Sequence, residues 1–81
     1  MSYNKLTPAE ASGQVVGRKP LLAEYEGLLC DVVMIRRVIT RDPEGNELYA
    51  VYVKYGTGRK RLTMKSTDKL IYRQVVREKG V

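Results

Sequence analysis

The sequence predicts a mainly β domain, built as a small barrel or a bent antiparallel meander, with a short N-terminal helix or an extended lead-in segment before it. Three observations predict it. Val32-Val33-Met34-Ile35, Val38-Ile39-Thr40 and residues 47–55 are rich in β-branched and aromatic side chains, which suit strands and lose rotamer freedom in helices. Between them lies Asp42-Pro43-Glu44-Gly45, with Asp first, Pro second and Gly fourth, as a type I turn favours. Further turn signals follow at 56–58 and 66–68, and short strands punctuated in this way read as a compact all-β fold.

The elements follow in chain order. Thr7-Pro8-Ala9-Glu10 opens a short helix: Thr caps it, Pro suits the first helical position, and Glu three residues after the cap completes a capping box. Gly13 and Gly17 follow as stops, so residues 1–19 read as an N-terminal tail with a short helix. Residues 20–29 are open between helix and extended chain, because Leu21, Leu22, Tyr25, Leu28 and Leu29 fit a 3.6-residue period after Pro20. A strand near 30–41 then pairs with a strand over 47–55 as one antiparallel hairpin. Alternation puts Tyr49, Val51, Val53 and Tyr55 on one face and Leu48, Ala50, Tyr52 and Lys54 on the other. A third strand at about 59–65 sends Leu62 and Met64 inward and Arg59, Arg61, Thr63 and Lys65 outward. Residues 69–77 form a last short strand. The domain spans 20–77, and 78–81 is a C-terminal tail.

The chain has 81 residues, enough for one domain with a thin core. Its lone Cys30 stands in an apolar run and its aromatic content is six tyrosines, so the expectation is a buried thiol and no intrachain disulfide. No leader pattern or long apolar stretch is seen, and a reducing cytoplasm is the expected location. The absence of histidine removes His-based general base catalysis, and one cysteine cannot complete a four-ligand zinc site. The carboxylates are scattered singly. No enzyme, cofactor or metal is therefore expected.

The net charge of +6 is unevenly spread. Residues 1–53 hold six Lys and Arg against seven Asp and Glu, whereas residues 54–81 hold nine against two. Charge concentrated in one segment creates a local positive potential that attracts polyanions. The candidate nucleic-acid-binding residues are Tyr52 and Lys54 on the second strand and Arg59, Lys60, Arg61 and Lys65 on the third, with Arg36 and Arg37 as further phosphate contacts. Cations neutralise phosphates, and an exposed tyrosine offers a ring for an unpaired base. The competing reading is that Tyr52 packs across the hairpin and the charges only solvate an edge strand. Gly56-Thr57-Gly58-Arg59-Lys60 lacks the P-loop spacing and reads as a hairpin turn.

Tyr49-Ala50-Val51-Tyr52-Val53-Lys54-Tyr55-Gly56, followed by Thr67-Asp68-Lys69-Leu70, resembles the Tudor-like group of SH3-like barrels over roughly residues 26–72. The resemblance implies a small barrel, with Tyr49 and Tyr55 as candidates for a cage around a methylated Lys or Arg. Lys54 stands where that family has Asp and Thr57 where it has Asn, which sets a positive charge beside the cation site. The expected function is a nucleic-acid-binding β-barrel, for RNA or DNA, of modest sequence specificity. The alternative is a protein-interaction module docking an acidic protein partner.

Overall fold

The computed structural model describes residues 2–12 and 21–75, with side chains for 3–12 and 21–73. Over these residues it is mainly β, with six strands and one short helix: β1 (Ser2–Leu6), α1 (Pro8–Ala11), β2 (Leu21–Tyr25), β3 (Leu28–Arg41), β4 (Glu47–Tyr55), β5 (Gly58–Lys65) and β6 (Ile71–Val75). The strands form one antiparallel sheet in the order β1-β6-β2-β3-β4-β5. Among the described residues the sheet does not close, and β1 and β5 are its edges.

The helix begins as the sequence predicts. Thr7 Oγ1 accepts from the Glu10 backbone N–H at 3.1 Å, and Glu10 Oε1 accepts from the Thr7 N–H at 3.0 Å. The Thr7 N–H bond, chiefly, holds the Glu10 carboxyl below its ordinary value. Pro8 and Ala11 on the helix are buried. Gly13 and Gly17, and the tail at 78–81, lie outside the described residues.

Two elements depart from the sequence-based expectation. The tail assigned to residues 1–19 includes a strand, β1, which pairs with β6 from Ser2 opposite Val75 to Leu6 opposite Ile71. Nothing local marks this strand, because its partner lies at the far end of the described chain. The helical alternative over 20–29 gives way to a hairpin. Glu26 and Gly27 turn with φ of 52° and 84°, the pair of positive values a type I′ turn needs. Leu21 and Ala23 are buried on one face of β2, while Leu28 and Leu29 remain 57% and 46% exposed. The helical spacing of these leucines is therefore not a packed stripe.

The β3–β4 hairpin is as predicted. Its turn is closed by the Gly45 N–H donating to Asp42 O at 2.9 Å, with Gly45 at φ 86°. The Asp42 carboxylate accepts from the backbone N–H of Glu44 at 3.0 Å and of Asn46 at 2.8 Å, and from Asn46 Nδ2 at 3.0 Å. These bonds, the Asn46 side chain's first, hold the Asp42 carboxyl below the usual carboxylate range. Alternation on β4 buries Val51 and Val53 completely. Together with Ala11, Leu21, Ala23, Cys30, Val32, Met64 and Ile71 they make the core. Cys30 is a free, buried thiol.

Register on β3 shifts twice. Val32 opposes Val53, but Met34 opposes Tyr52, so Val33 is an extra residue. One inserted residue reverses which side of the sheet a strand's side chains reach. Buried Val32 and half-buried Ile35 therefore both face the core although three positions apart. Between Val38 opposite Leu48 and Arg41 opposite Glu47, two residues are extra, Ile39 and Thr40.

Candidate functional site

Backbone pairing decides which of the candidate side chains share a surface. On β5, Arg59 opposes Lys54, Arg61 opposes Tyr52, Thr63 opposes Ala50 and Lys65 opposes Leu48. On β3, Met34 opposes Tyr52 and Arg36 opposes Ala50. Opposed residues in an antiparallel pair lie on the same side of the sheet. The face turned away from Val51 and Val53 therefore carries Arg36, Tyr52, Lys54, Arg59, Arg61 and Lys65 across three neighbouring strands. The four β5 positions on it, Arg59, Arg61, Thr63 and Lys65, are exposed.

Lys60 and Arg37 belong to the opposite side. Lys60 opposes the fully buried Val53 and remains exposed at the edge strand. Arg37 opposes Tyr49 and is paired with Glu47 at 3.4 Å. Arg41 reaches the same carboxylate at 3.6 Å. The Arg36-Arg37 pair thus splits, one guanidinium to each side, as consecutive strand residues must.

Tyr52 is not a bare platform. Arg36 Nη2 donates to Tyr52 Oη at 3.3 Å, and its guanidinium carbon stands 5.9 Å from the ring centroid. The tyrosine is half-buried. Arg36 thus approaches the ring from the neighbouring strand, a cation–π arrangement that holds both groups. Ala50, the small residue opposite Arg36, is fully buried on the outer face.

Charge on this face is largely uncompensated. Among the described residues, no ion pair involves Arg36, Lys54, Arg59 or Arg61. Lys65 lies 4.0 Å from Glu44 across the hairpin tip. Asp31 borders the cluster, lining with Lys54, Tyr55 and Leu29 a groove at its upper end. No signal in the sequence marks this acidic neighbour, since it becomes adjacent only once the Val33 bulge sets the β3–β4 register.

The two tyrosines offered as a cage do not meet. Tyr49 and Tyr55 share a face but stand six positions apart, about 20 Å along a strand. Tyr55 instead packs edge-to-face on Tyr25 at 4.8 Å between centroids and donates from its hydroxyl to Glu26 Oε1 at 3.4 Å. The nearby Glu26 charge, chiefly, raises the Tyr55 phenol above its ordinary value. Glu26 also borders, with Glu24, an apolar depression floored by Leu62, Met64 and Tyr72. Its rim is acidic, opposite in sign to the outer face of β3–β4–β5.

Among the described residues there is no cluster of three or more His, Cys, Asp or Glu able to hold a metal ion, and no helix long and apolar enough to cross a membrane. Comparison with known proteins finds no family model, curated protein or solved structure that matches this chain.

Proposed function

We propose that the outer face of β3–β4–β5 binds nucleic acid through its phosphates, with modest sequence specificity. The observation that carries the reading is the register. It gathers Arg36, Lys54, Arg59, Arg61 and Lys65 around Tyr52 on one face, and four of these five cations have no carboxylate partner among the described residues. Guanidinium and ammonium groups spread over a rigid sheet neutralise successive phosphates and release counterions. Contacts made to phosphates carry no base identity, which is read by paired amide groups or bidentate arginines in a groove. A base stacking here would meet the Tyr52 ring together with the Arg36 guanidinium, and both are flat surfaces suited to stacking.

The test is a binding titration against single- and double-stranded DNA and RNA at several salt concentrations. The parent should bind, with affinity falling steeply as salt rises. Replacing Arg59, Arg61 and Lys65 together by Gln should weaken binding and flatten the log–log salt slope by about two to three units, one per lost phosphate contact. Tyr52→Ala should weaken single-strand binding by roughly 1–3 kcal/mol with little change of slope, because stacking releases no counterions. A folded triple variant with the parent's affinity and slope would remove this face from the reading.

A further inference from the structure

The β3–β4 hairpin carries a feature that neither the core nor the phosphate-binding face accounts for. Ile39 is 99% exposed, a full-length apolar side chain held in water. It is not at a loose loop tip. It belongs to β3, in the two-residue bulge that separates the Val38–Leu48 pair from the Arg41–Glu47 pair. Bulges re-aim side chains out of the ladder, and this one is flanked by paired residues on both sides. Ile39 is thus presented outward between two paired segments of the hairpin arm, with a β-branched side chain of few rotamers.

The surroundings specify the chemistry of a partner. On one side, Ile39 lines a depression with Arg36, Arg37 and Arg61 and no carboxylate. On the other, it borders Arg37, Arg41 and Glu47. The acidic groups of the arm are engaged within it: Asp42 by the turn N–H groups, Glu44 by Lys65, and Glu47 by Arg37 and Arg41. A lone apolar side chain ringed by guanidiniums is too small for a stable protein interface, which takes about 800 Å² from each partner. It does fit a polyanion whose interior is apolar.

We propose that Ile39 is a wedge that inserts between stacked base pairs of duplex DNA, with Arg36 and Arg61 holding the flanking phosphates. The proposal rests on the nucleic-acid reading above and adds to it the form of the ligand and its deformation. An apolar wedge of this kind partly unstacks one base step and kinks the helix, and the cost of unstacking is offset where the bent duplex reaches more cationic surface. Here the bend would bring the duplex from the arm onto the β4–β5 face.

The experiment uses the full chain and a duplex of about 25 base pairs, labelled at both ends for energy transfer, the length over which a kink is readily resolved. The parent should bring the ends closer. Ile39→Ala, which removes a solvent-exposed side chain and should melt as the parent does, should leave the ends apart. It should bind about tenfold more weakly with the same salt slope, because the wedge and not a charge is lost. Ile39→Leu should restore the bend. A central mismatch, already partly unstacked, should tighten parent binding more than that of Ile39→Ala. If the parent binds with a steep salt slope but the ends do not move, or if Ile39→Ala bends as the parent does, the wedge is wrong and the phosphate-binding face stands. Binding of single strands with no binding of the duplex would overturn the wedge in the same way. If the parent shows no salt-sensitive binding to any nucleic acid, both readings fall.

Discussion

The two halves of the β3–β4 hairpin are stabilised by different forces. At its base, Val32 of β3 and Val51 and Val53 of β4 are buried against Leu21, Ala23, Met64 and Ile71. Burial of apolar area holds that half. In the distal half, from Arg36 to the turn, most residues are exposed and Ile39 is almost wholly so. Order there comes from the ladder, from the Asp42 carboxylate gathering N–H groups, and from Glu47 between Arg37 and Arg41. The base cannot change side-chain volume cheaply, because close-packed interiors do not re-close around a void. The arm can change chemistry freely as long as its backbone pairing holds. The inward face of the base is therefore restricted to apolar side chains, whereas the arm tolerates cations on both faces and an isoleucine that is 99% exposed.

The sharpest break of this contrast is volume removal at the base. Ile71→Ala should cost about 2–5 kcal/mol and Val53→Ala about 1–3 kcal/mol in chemical denaturation, from lost transfer energy plus a residual cavity. Ile39→Ala should stay within about 0.5 kcal/mol of the parent. Equal costs at Val53 and Ile39 would mean that the arm is packed and the contrast is false.

A smaller effect is expected at the arm's turn. Gly45 sits at φ 86°, so Gly45→Ala should cost about 1–2 kcal/mol through the left-handed backbone alone, with nothing near enough to clash. Amide exchange should show the loss concentrated at residues 42–46, with the base protected as before.

Acid should distinguish the halves in the same way. The Asp42 carboxyl is held below its ordinary value by Asn46 first, so it contributes stability that is present above the unfolded-state value and lost as pH falls through the lower folded one. Lowering pH through that window should reduce amide protection, taken relative to the intrinsic exchange rate at each pH, at the tip before the base. Asp42→Ala should make the tip labile at neutral pH and remove this acid step. Tip protection that stays constant across this pH window in the parent would assign the turn's order to the backbone alone.

A change smaller than that at the turn is expected at Glu47. Its pairs with Arg37 and Arg41 are exposed, so Glu47→Gln should alter stability by no more than about 1 kcal/mol. It would also release two guanidiniums. Binding to a polyanion should then tighten and its salt slope steepen. Unchanged binding would separate the far side of the arm from the phosphate path.

Much of this fold is legible in local chemistry. Thr7 and Glu10 mark the helix start, and residues 42–46 mark the turn. The alternation of β4 and β5 places Tyr52, Lys54, Arg59, Arg61 and Lys65 on one side, because a period of two is a property of extended chain itself. The β2–β3 hairpin is obscured because Leu21, Leu22, Tyr25, Leu28 and Leu29 fit a helix as well as a strand, and only the positive φ values at Glu26 and Gly27 decide against it. The pairing of β1 with β6 joins the two ends of the described chain, and five residues with no turn signal do not announce such a partner.

Local sequence thus dictates the strands from β3 to β5, their turns and the sidedness of β4 and β5, since each depends on residues within a few positions of one another. What crosses between strands is settled by tertiary pairing. The extra residue at Val33 reverses the facing of β3 and so brings Val32 and Ile35 to the core and Arg36 to the Tyr52 side. The extra pair at Ile39 and Thr40 leaves that facing intact and puts an isoleucine into water. A bulge has no sequence signature here, because it is fixed by how two strands and the core beneath them settle into register. The contact of Arg36 with Tyr52 and the exposure of Ile39 are consequences of that register and are absent from either strand read alone.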